Sequence, residues 1–299
     1  MSLNCLTLTD AESATIQAII GKKSSPAFFG ARSCDRMPEL DNCVEALPTR
    51  VREAIAEIRM GESGTGALMI AGFRIPHGLP DTPTGIYEYI DGSEVGTEGY
   101  LCLLSRLLGP AISFEDWHGG AKIQNLYPLP DRRNVQCAAN CVYLEMHTET
   151  AFRPNTPYFL ILLCLREGRE PVYTILCDLR EIVNAMAPEA KKVLGSPSFC
   201  FAIKDDHGGR TEPKPIETLH SGHRRLNYAE ALMGIDEPSR EVLAELRHQI
   251  QKKARLLQLK AGDAMIINNL YMVHGRTAFE PRFDGTDRWL QRLLVGSNA

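Results

Sequence analysis

This chain carries no excess of positive charge: its formal net charge is −4 over 299 residues. Proteins that hold nucleic acid concentrate Lys and Arg on one face, so nucleic acid is not expected as a partner. Long apolar runs are missing as well. The longest, Tyr158 to Leu165, has eight residues, whereas a membrane-spanning helix needs roughly 18 to 20, so a membrane is not expected either. The nine cysteines contain no C-x-x-C pair. Cys102, Cys164 and Cys177 lie in apolar stretches where a free thiol acts as a small hydrophobe, a pattern that suits a reducing compartment. The opening MSLNCLTLTDAES lacks a basic segment followed by an apolar core, so no signal peptide is expected and the cytoplasm is the expected location. Internal repeats and low-complexity segments are absent, and oligomeric state leaves no signature.

What is present has the composition of an ordinary enzyme, 44% hydrophobic and 23% charged, and the length to bury a large core. A single domain over residues 1–299 is expected. Thr9 and Glu12 form a T-x-x-E capping box ahead of an apolar-periodic stretch to Ile20, which predicts a first helix. Pro48 can open a second, with Val51, Ala54, Ile55 and Ile58 on one face. Gly66 to Phe73 reads as a buried strand, residues 76–98 as a long irregular loop, and about Thr97 to Leu108 as a third helix stopped by Gly109 and Pro110.

Beyond residue 120 the pattern changes to short β-type runs: Ala121 to Tyr127, Asn140 to His147, Tyr158 to Leu165, Val172 to Leu179 and Ser198 to Ile203. A long helix from near Pro238 to about Leu256, with Val242, Leu246 and Ile250 inward, interrupts them before GDAMIIN and RWLQRLLV resume the strands. The expected fold class is α+β, a double-stranded β-helix (jelly-roll) core flanked by helices. Lys204 to Arg225, rich in Gly, His and charge, reads equally as a lid or as an exposed loop.

The chemistry concentrates at two places. CVYLEMHTETAF ends a strand with His147-Thr148-Glu149, and side chains two apart on a strand share a face. Two histidines and one carboxylate form the facial triad of non-haem Fe(II) oxygenases, which leaves coordination positions open. Alone, H-x-E is also an ordinary solvated strand end. The second place is NLYMVHGRTAFEPRFDGTDRWLQRLLV, where His274 is followed by Arg288 and Arg292. Equal parity on a strand turns both guanidinium groups to one face beside Leu290 and Leu294. Cations there are costly unless anions meet them. Two carboxylate ligands would supply those anions as fork pairs; the alternative is a structural pairing of Arg288 with Asp284 or Asp287.

HTETAF, LLCLREG, GDAMIINNLYMVHGRTAF and RFDGTDRWLQR together resemble the clavaminate synthase-like 2-oxoglutarate oxygenases, which include arginine, lysine and asparagine hydroxylases of antibiotic pathways. The resemblance runs from about residue 66 to 296. It implies Fe(II), 2-oxoglutarate and O₂ as cofactor and cosubstrates, with His147, Glu149 and His274 as iron ligands. Arg288 matches the arginine that grips the distal carboxylate of 2-oxoglutarate, helped by Thr174 in PVYTILCDL, which is otherwise a strand threonine. Arg292 matches the clamp for the substrate α-carboxylate. Gln124 in KIQNLYPLP, otherwise a surface amide, matches the contact to the α-amino group, with Glu149 contributing. His77, His118, His207, His220, His223 and His248 lack a partner motif and read as solvated or core histidines.

The implied function is hydroxylation of Cβ or Cγ of an L-amino acid or derivative in secondary metabolism. Desaturation or oxidative cyclisation by the same site is the alternative within enzymes, and a metal-containing jelly-roll amino-acid binder without turnover is the alternative outside them. A zinc hydrolase is disfavoured because no H-E-x-x-H helix is present. In the family's arginine-type members an acidic pair binds the substrate's cationic side chain. HSGHRRLNYAEALM offers only Asn227 and Glu230 there, which leaves a neutral side chain as well supported as a cationic one.

Overall fold

The computed structural model describes residues 3–21, 38–60, 64–85, 95–203, 209–220 and 222–297. Its strands are β1 (Leu3–Thr7), β2 (Ala67–Ala71), β3 (Ala111–Ile112), β4 (Ile123–Leu126), β5 (Leu144–His147), β6 (Phe159–Arg166), β7 (Tyr173–Asp178), β8 (Phe199–Cys200), β9 (Glu217–His220), β10 (His223–Leu226), β11 (Met233–Gly234), β12 (Arg255–Gln258), β13 (Ala264–Asn268), β14 (Met272–Arg276) and β15 (Trp289–Val295). A seven-stranded sheet runs β1-β2-β13-β6-β15-β3, with β4 also on β15, and a four-stranded sheet runs β12-β7-β14-β5. β13 and β15 are buried along their whole length, as the continuous apolar runs demand when both faces of a strand are covered. This is the expected jelly-roll core flanked by helices.

The helices Thr49–Arg59 and Glu98–Leu108 pack on the large sheet, whereas Leu179–Ala185, Pro188–Leu194 and Glu237–Lys253 pack against one another. Thr9 and Glu12 close the expected capping box, the Glu12 amide donating to Thr9 Oγ1 at 3.2 Å and the Thr9 amide to Glu12 Oε2 at 2.8 Å, ahead of the helix Asp10–Gly21. Val51, Ile55 and Ile58 form the buried face of Thr49–Arg59. The helix Glu98–Leu108 packs on β6 and β15. Its Glu98 accepts from the Gln291 amide at 2.6 Å, so the odd-numbered positions of β15 face the helices and the even-numbered ones face the interior.

Several boundaries differ from expectation. The long helix is Glu237–Lys253, capped by Asp236 through Ser239. It stops before Leu256, which is 58% exposed on β12, because Ala254 turns the chain into extended geometry to pair with β7. The run Ser198 to Ile203 keeps only β8 as strand, and Asn140 to His147 only β5. Strands β1, β3, β9, β10, β11, β12 and β14 and the helices Pro38–Glu45, Leu179–Ala185 and Pro188–Leu194 were not anticipated. Cys164 and Cys177 are buried free thiols, but Cys102 is disulfide-bonded, so an apolar setting did not keep it a thiol. Of the stretch 204–225, residues 204–208, His207 among them, and residue 221 lie outside the described residues, as do 86–94 of the 76–98 loop. The rest of the first stretch ends in the antiparallel hairpin β9–β10. No described helix is long and apolar enough to cross a membrane.

Candidate active site

β5 and β14 are neighbours in the small sheet, and their register sets His147 directly opposite His274. The strands can approach because position 275 is glycine. A Cβ there would lie 2.6 Å from the Leu144 carbonyl oxygen and 2.9 Å from Met146 Sδ, closer than real Cβ atoms come. The two imidazole centroids are 4.5 Å apart, and Glu149 Oε2 lies 3.6 Å from His274 Nε2. One ligand atom from each of His147, Glu149 and His274 falls within 4.8 Å of the others. His147 Nδ1 is 2.6 Å from the Glu145 carbonyl. A carbonyl only accepts, so Nδ1 carries the proton and the Nε2 lone pair is left for a metal. His274 Nδ1 is buried with no hydrogen-bond partner, so packing orients that ring.

Glu149 is held from behind. Its amide donates to Asn269 Oδ1 at 2.6 Å, and Asn269 Nδ2 donates to the carbonyls of Glu149 at 3.2 Å and Pro157 at 2.9 Å. Burial works to raise its carboxyl pKa, but the Arg292 guanidinium and the two imidazoles more than offset this and hold it below the usual carboxylate range. The carboxylate is therefore ionised and ready to ligate. Two imidazoles and a buried, ionised carboxylate converging on one point fit a divalent iron ion.

Arg292 lies within β15 and Arg288 immediately before it; both are buried, 8% exposed at Arg288 and 4% at Arg292. Arg288 has no carboxylate partner among the described residues. Asp287 is occupied by the amides of Arg282 and Phe283 at 2.9 and 2.6 Å, and Asp284 by Thr286 with Arg169 at 3.9 Å. The structural pairing is thereby excluded. Thr82 Oγ1 donates to the Asp287 carbonyl at 2.6 Å and packs a loop beside Arg288. Thr174 is 3% exposed on β7. It is paired with Arg276 across the sheet, two positions from the Leu176 that opposes His274, and so lies on the ligand face.

Arg292 is crowded where Arg288 is bare. Gln124, its cross-strand partner on β4, accepts from Nε at 2.9 Å and from Nη2. Nη1 lies 3.3 Å from Glu149 Oε2, and the guanidinium sits 4.5 Å from the Trp117 ring centroid. Gln124 is 2% exposed, so it is no surface amide.

Three residues of this wall were missed. His118 Nε2 stands 3.4 Å from Arg292 Nη2; burial first and Arg292 second push its pKa down to about 3, so the ring is neutral. It was read as a solvated or core histidine, and its left-handed φ of 50° beside two glycines is the only local sign of a special turn. Trp117 stacks on Arg292 across 175 positions of sequence, which periodicity cannot see. Arg276 was legible by parity with His274. It donates to Asn140 Oδ1 and, at 2.8 Å, to the Val142 carbonyl, and burial followed by Arg288 lowers its pKa to about 9. Glu230, weighed as a substrate contact, accepts from Tyr143 Oη at 3.2 Å and from the Met146 amide at 3.1 Å.

The family model for taurine catabolism dioxygenase TauD, TfdA family, matches residues 110–294. An L-asparagine oxygenase of Streptomyces coelicolor is 29% identical over 303 residues, 97% of this chain and 89% of that protein. An L-lysine 3-hydroxylase of Catenulispora acidiphila is 28% identical over 301 residues, 97% and 83% respectively. A solved asparagine oxygenase in complex with Fe(II), 2S,3S-3-hydroxyasparagine and succinate superposes with a TM-score of 0.87 at 26% identity, covering 98% of this chain and 93% of that one.

Proposed function

This chain belongs to the taurine catabolism dioxygenase TauD, TfdA family, and from that premise we propose that it is a non-haem Fe(II)- and 2-oxoglutarate-dependent oxygenase that hydroxylates Cβ or Cγ of an L-amino acid or close derivative. The observation that carries the reading is the buried Arg288, a cation with no protein anion, on the same interior as the His147, Glu149 and His274 donor set. A buried guanidinium is costly unless an anion meets it, and the distal carboxylate of a dicarboxylate cosubstrate is that anion.

In this reading His147, Glu149 and His274 hold Fe(II). Bound iron with 2-oxoglutarate and O₂ supplies the oxidising equivalent, so that R–H, 2-oxoglutarate and O₂ become R–OH, succinate and CO₂. Arg288 and the Thr174 hydroxyl fix the far end of the cosubstrate. Arg292 takes the substrate α-carboxylate as a fork pair, with Gln124 and Glu149 turned to the α-amino group. Burial of both arginines excludes water from the reacting centre. The relatives are named for hydroxylation of asparagine and lysine, and a role in secondary metabolism follows the clavaminate synthase-type relatives. We read the chain as a single catalytic domain working in the cytoplasm on a small molecule. Seven free cysteines among the described residues favour that compartment, Cys102 being the exception.

The test is anaerobic incubation with Fe(II), ascorbate, 2-oxoglutarate and a panel of L-amino acids, followed by admission of O₂. Succinate formed with one amino acid that gains one oxygen atom is the expected result. Loss of two hydrogens instead marks desaturation or cyclisation, and binding without succinate marks a metal-containing binder.

A further inference from the structure

Arg225 on β10, like Arg288 and Arg276, is a buried cation that no acid answers among the described residues. It is 4% exposed, its Nε has no hydrogen-bond partner, and its neighbours are the Thr156 carbonyl at 3.4 Å from Nη2 and the Tyr158 ring at 5.2 Å. The acids on its own hairpin and in the segment that follows are committed elsewhere. Glu217 lies 2.7 Å from Arg224, and Glu230 is held by Tyr143 and the Met146 amide. Thr156 Oγ1, beside the guanidinium, is itself buried without a partner.

Register ties this cation to the candidate iron site. Ala229 bridges antiparallel to His147, and directly opposed residues turn their side chains to the same face. Tyr228, one position away, points instead to the long helix, where Arg247 meets it. Ala229 therefore sits on the His147 face; on β10 Arg224 reaches Asn184 of the helix Leu179–Ala185 at 2.9 Å, so Arg225 turns the other way, and Asn227 Nδ2 donates at 3.5 Å to Thr218, which pairs with Arg225. The head of Arg225 is anchored on the loop returning from Glu149. Thr156 precedes Pro157, whose carbonyl shares the Asn269 amide with Glu149.

We infer that Arg225, with Asn227 before it, forms the subsite for the substrate side chain, and that this side chain ends in a carboxylate, as in an aspartate- or glutamate-like substrate. This deepens the oxygenase reading and rests on it. The face that a lysine or arginine side chain would need to be acidic carries a buried guanidinium and an amide. A carboxylate is the ligand that satisfies both the charge and the vacant donor.

The experiment is calorimetric titration of the Fe(II)-loaded protein under nitrogen, with 2-oxoglutarate saturating so that its own site is filled, using L-aspartate, L-glutamate, L-asparagine, L-glutamine and L-lysine. One acid should bind at least about tenfold more tightly than its amide and than lysine, since a charge-assisted hydrogen bond is lost with the amide. Arg225→Gln should erase that gap by weakening the acid and leaving the amide nearly unchanged, and Arg225→Lys should restore part of it. Equal affinity for acid and amide, preference for lysine, indifference to all five, or acid preference surviving Arg225→Gln overturns the assignment and leaves Arg225 a staple for the loop. Should Arg225→Gln not fold, the acid-to-amide ratio of the unaltered protein still decides. Failure of 2-oxoglutarate itself to bind sinks the oxygenase reading and this subsite together, whereas 2-oxoglutarate binding without acid preference sinks the subsite alone.

Discussion

Arg288, just before β15, and Arg292, four positions on within it, are both buried, yet one meets no protein anion among the described residues and the other touches Gln124, Glu149 and Trp117. The difference teaches what each end of the site requires. At Arg288 the incoming anion has nothing to displace, so cosubstrate binding relieves an uncompensated charge. At Arg292 an incoming carboxylate must share a guanidinium already engaged by a proposed iron ligand. Binding at the substrate end is thereby coupled to the electrostatics of Glu149.

The largest blow to this contrast removes what stands between its two ends. His147→Ala or His274→Ala should abolish Fe(II) binding and leave no measurable succinate, with circular dichroism unchanged; retention of either activity or metal refutes the ligand assignment. Next, Arg288→Ala should raise the KM for 2-oxoglutarate about 100-fold or more with little change for the amino acid, and Arg292→Ala the reverse, as expected when one partner of a buried charge pair is truncated. Both variants weakening the same ligand would show that the two ends are not distinct. A smaller effect sharpens the picture: Trp117→Leu should raise the amino-acid KM by roughly threefold to tenfold, the value of a partly desolvated cation–π contact, and leave the 2-oxoglutarate KM alone.

The helix-facing side of β15 gives a prediction that leaves both ends of the site untouched. Glu98, buried against Gln291, has its pKa raised to about 7, chiefly by burial. An acid whose folded pKa lies above its unfolded one binds the extra proton in the native state. Stability should therefore fall as pH rises from about 4.5 to 7 and level off beyond, by of the order of 3 kcal/mol. Urea melts across that window should show the slope, and Glu98→Gln should flatten it without altering turnover.

Local patterns made the alternating face of β15, the apolar run of β13 and the H-x-E at the end of β5 legible before any coordinates. Each is set by periodicity within one segment, and periodicity survives folding. The small helices Leu179–Ala185 and Pro188–Leu194 were hidden because seven residues hold too few turns to distinguish a helix from a strand's apolar run. Trp117 and His118 were hidden for another reason: their partner, Arg292, is brought to them only by the β4–β15 pairing. Leu256 was misjudged because an apolar residue following a helical stripe carries no mark of the strand that tertiary pairing imposes.

Asn269 reaches the backbone on both sides of the turn after Glu149 while sitting at the turn between β13 and β14 that leads to His274. It thus fastens segments 120 positions apart in the chain, and loop closure over such a span is slow and entropically costly until many other contacts exist. The proposed metal ligands meet only where β5 and β14 pair across this span, so a chain in which that pairing is unmade offers iron no complete triad.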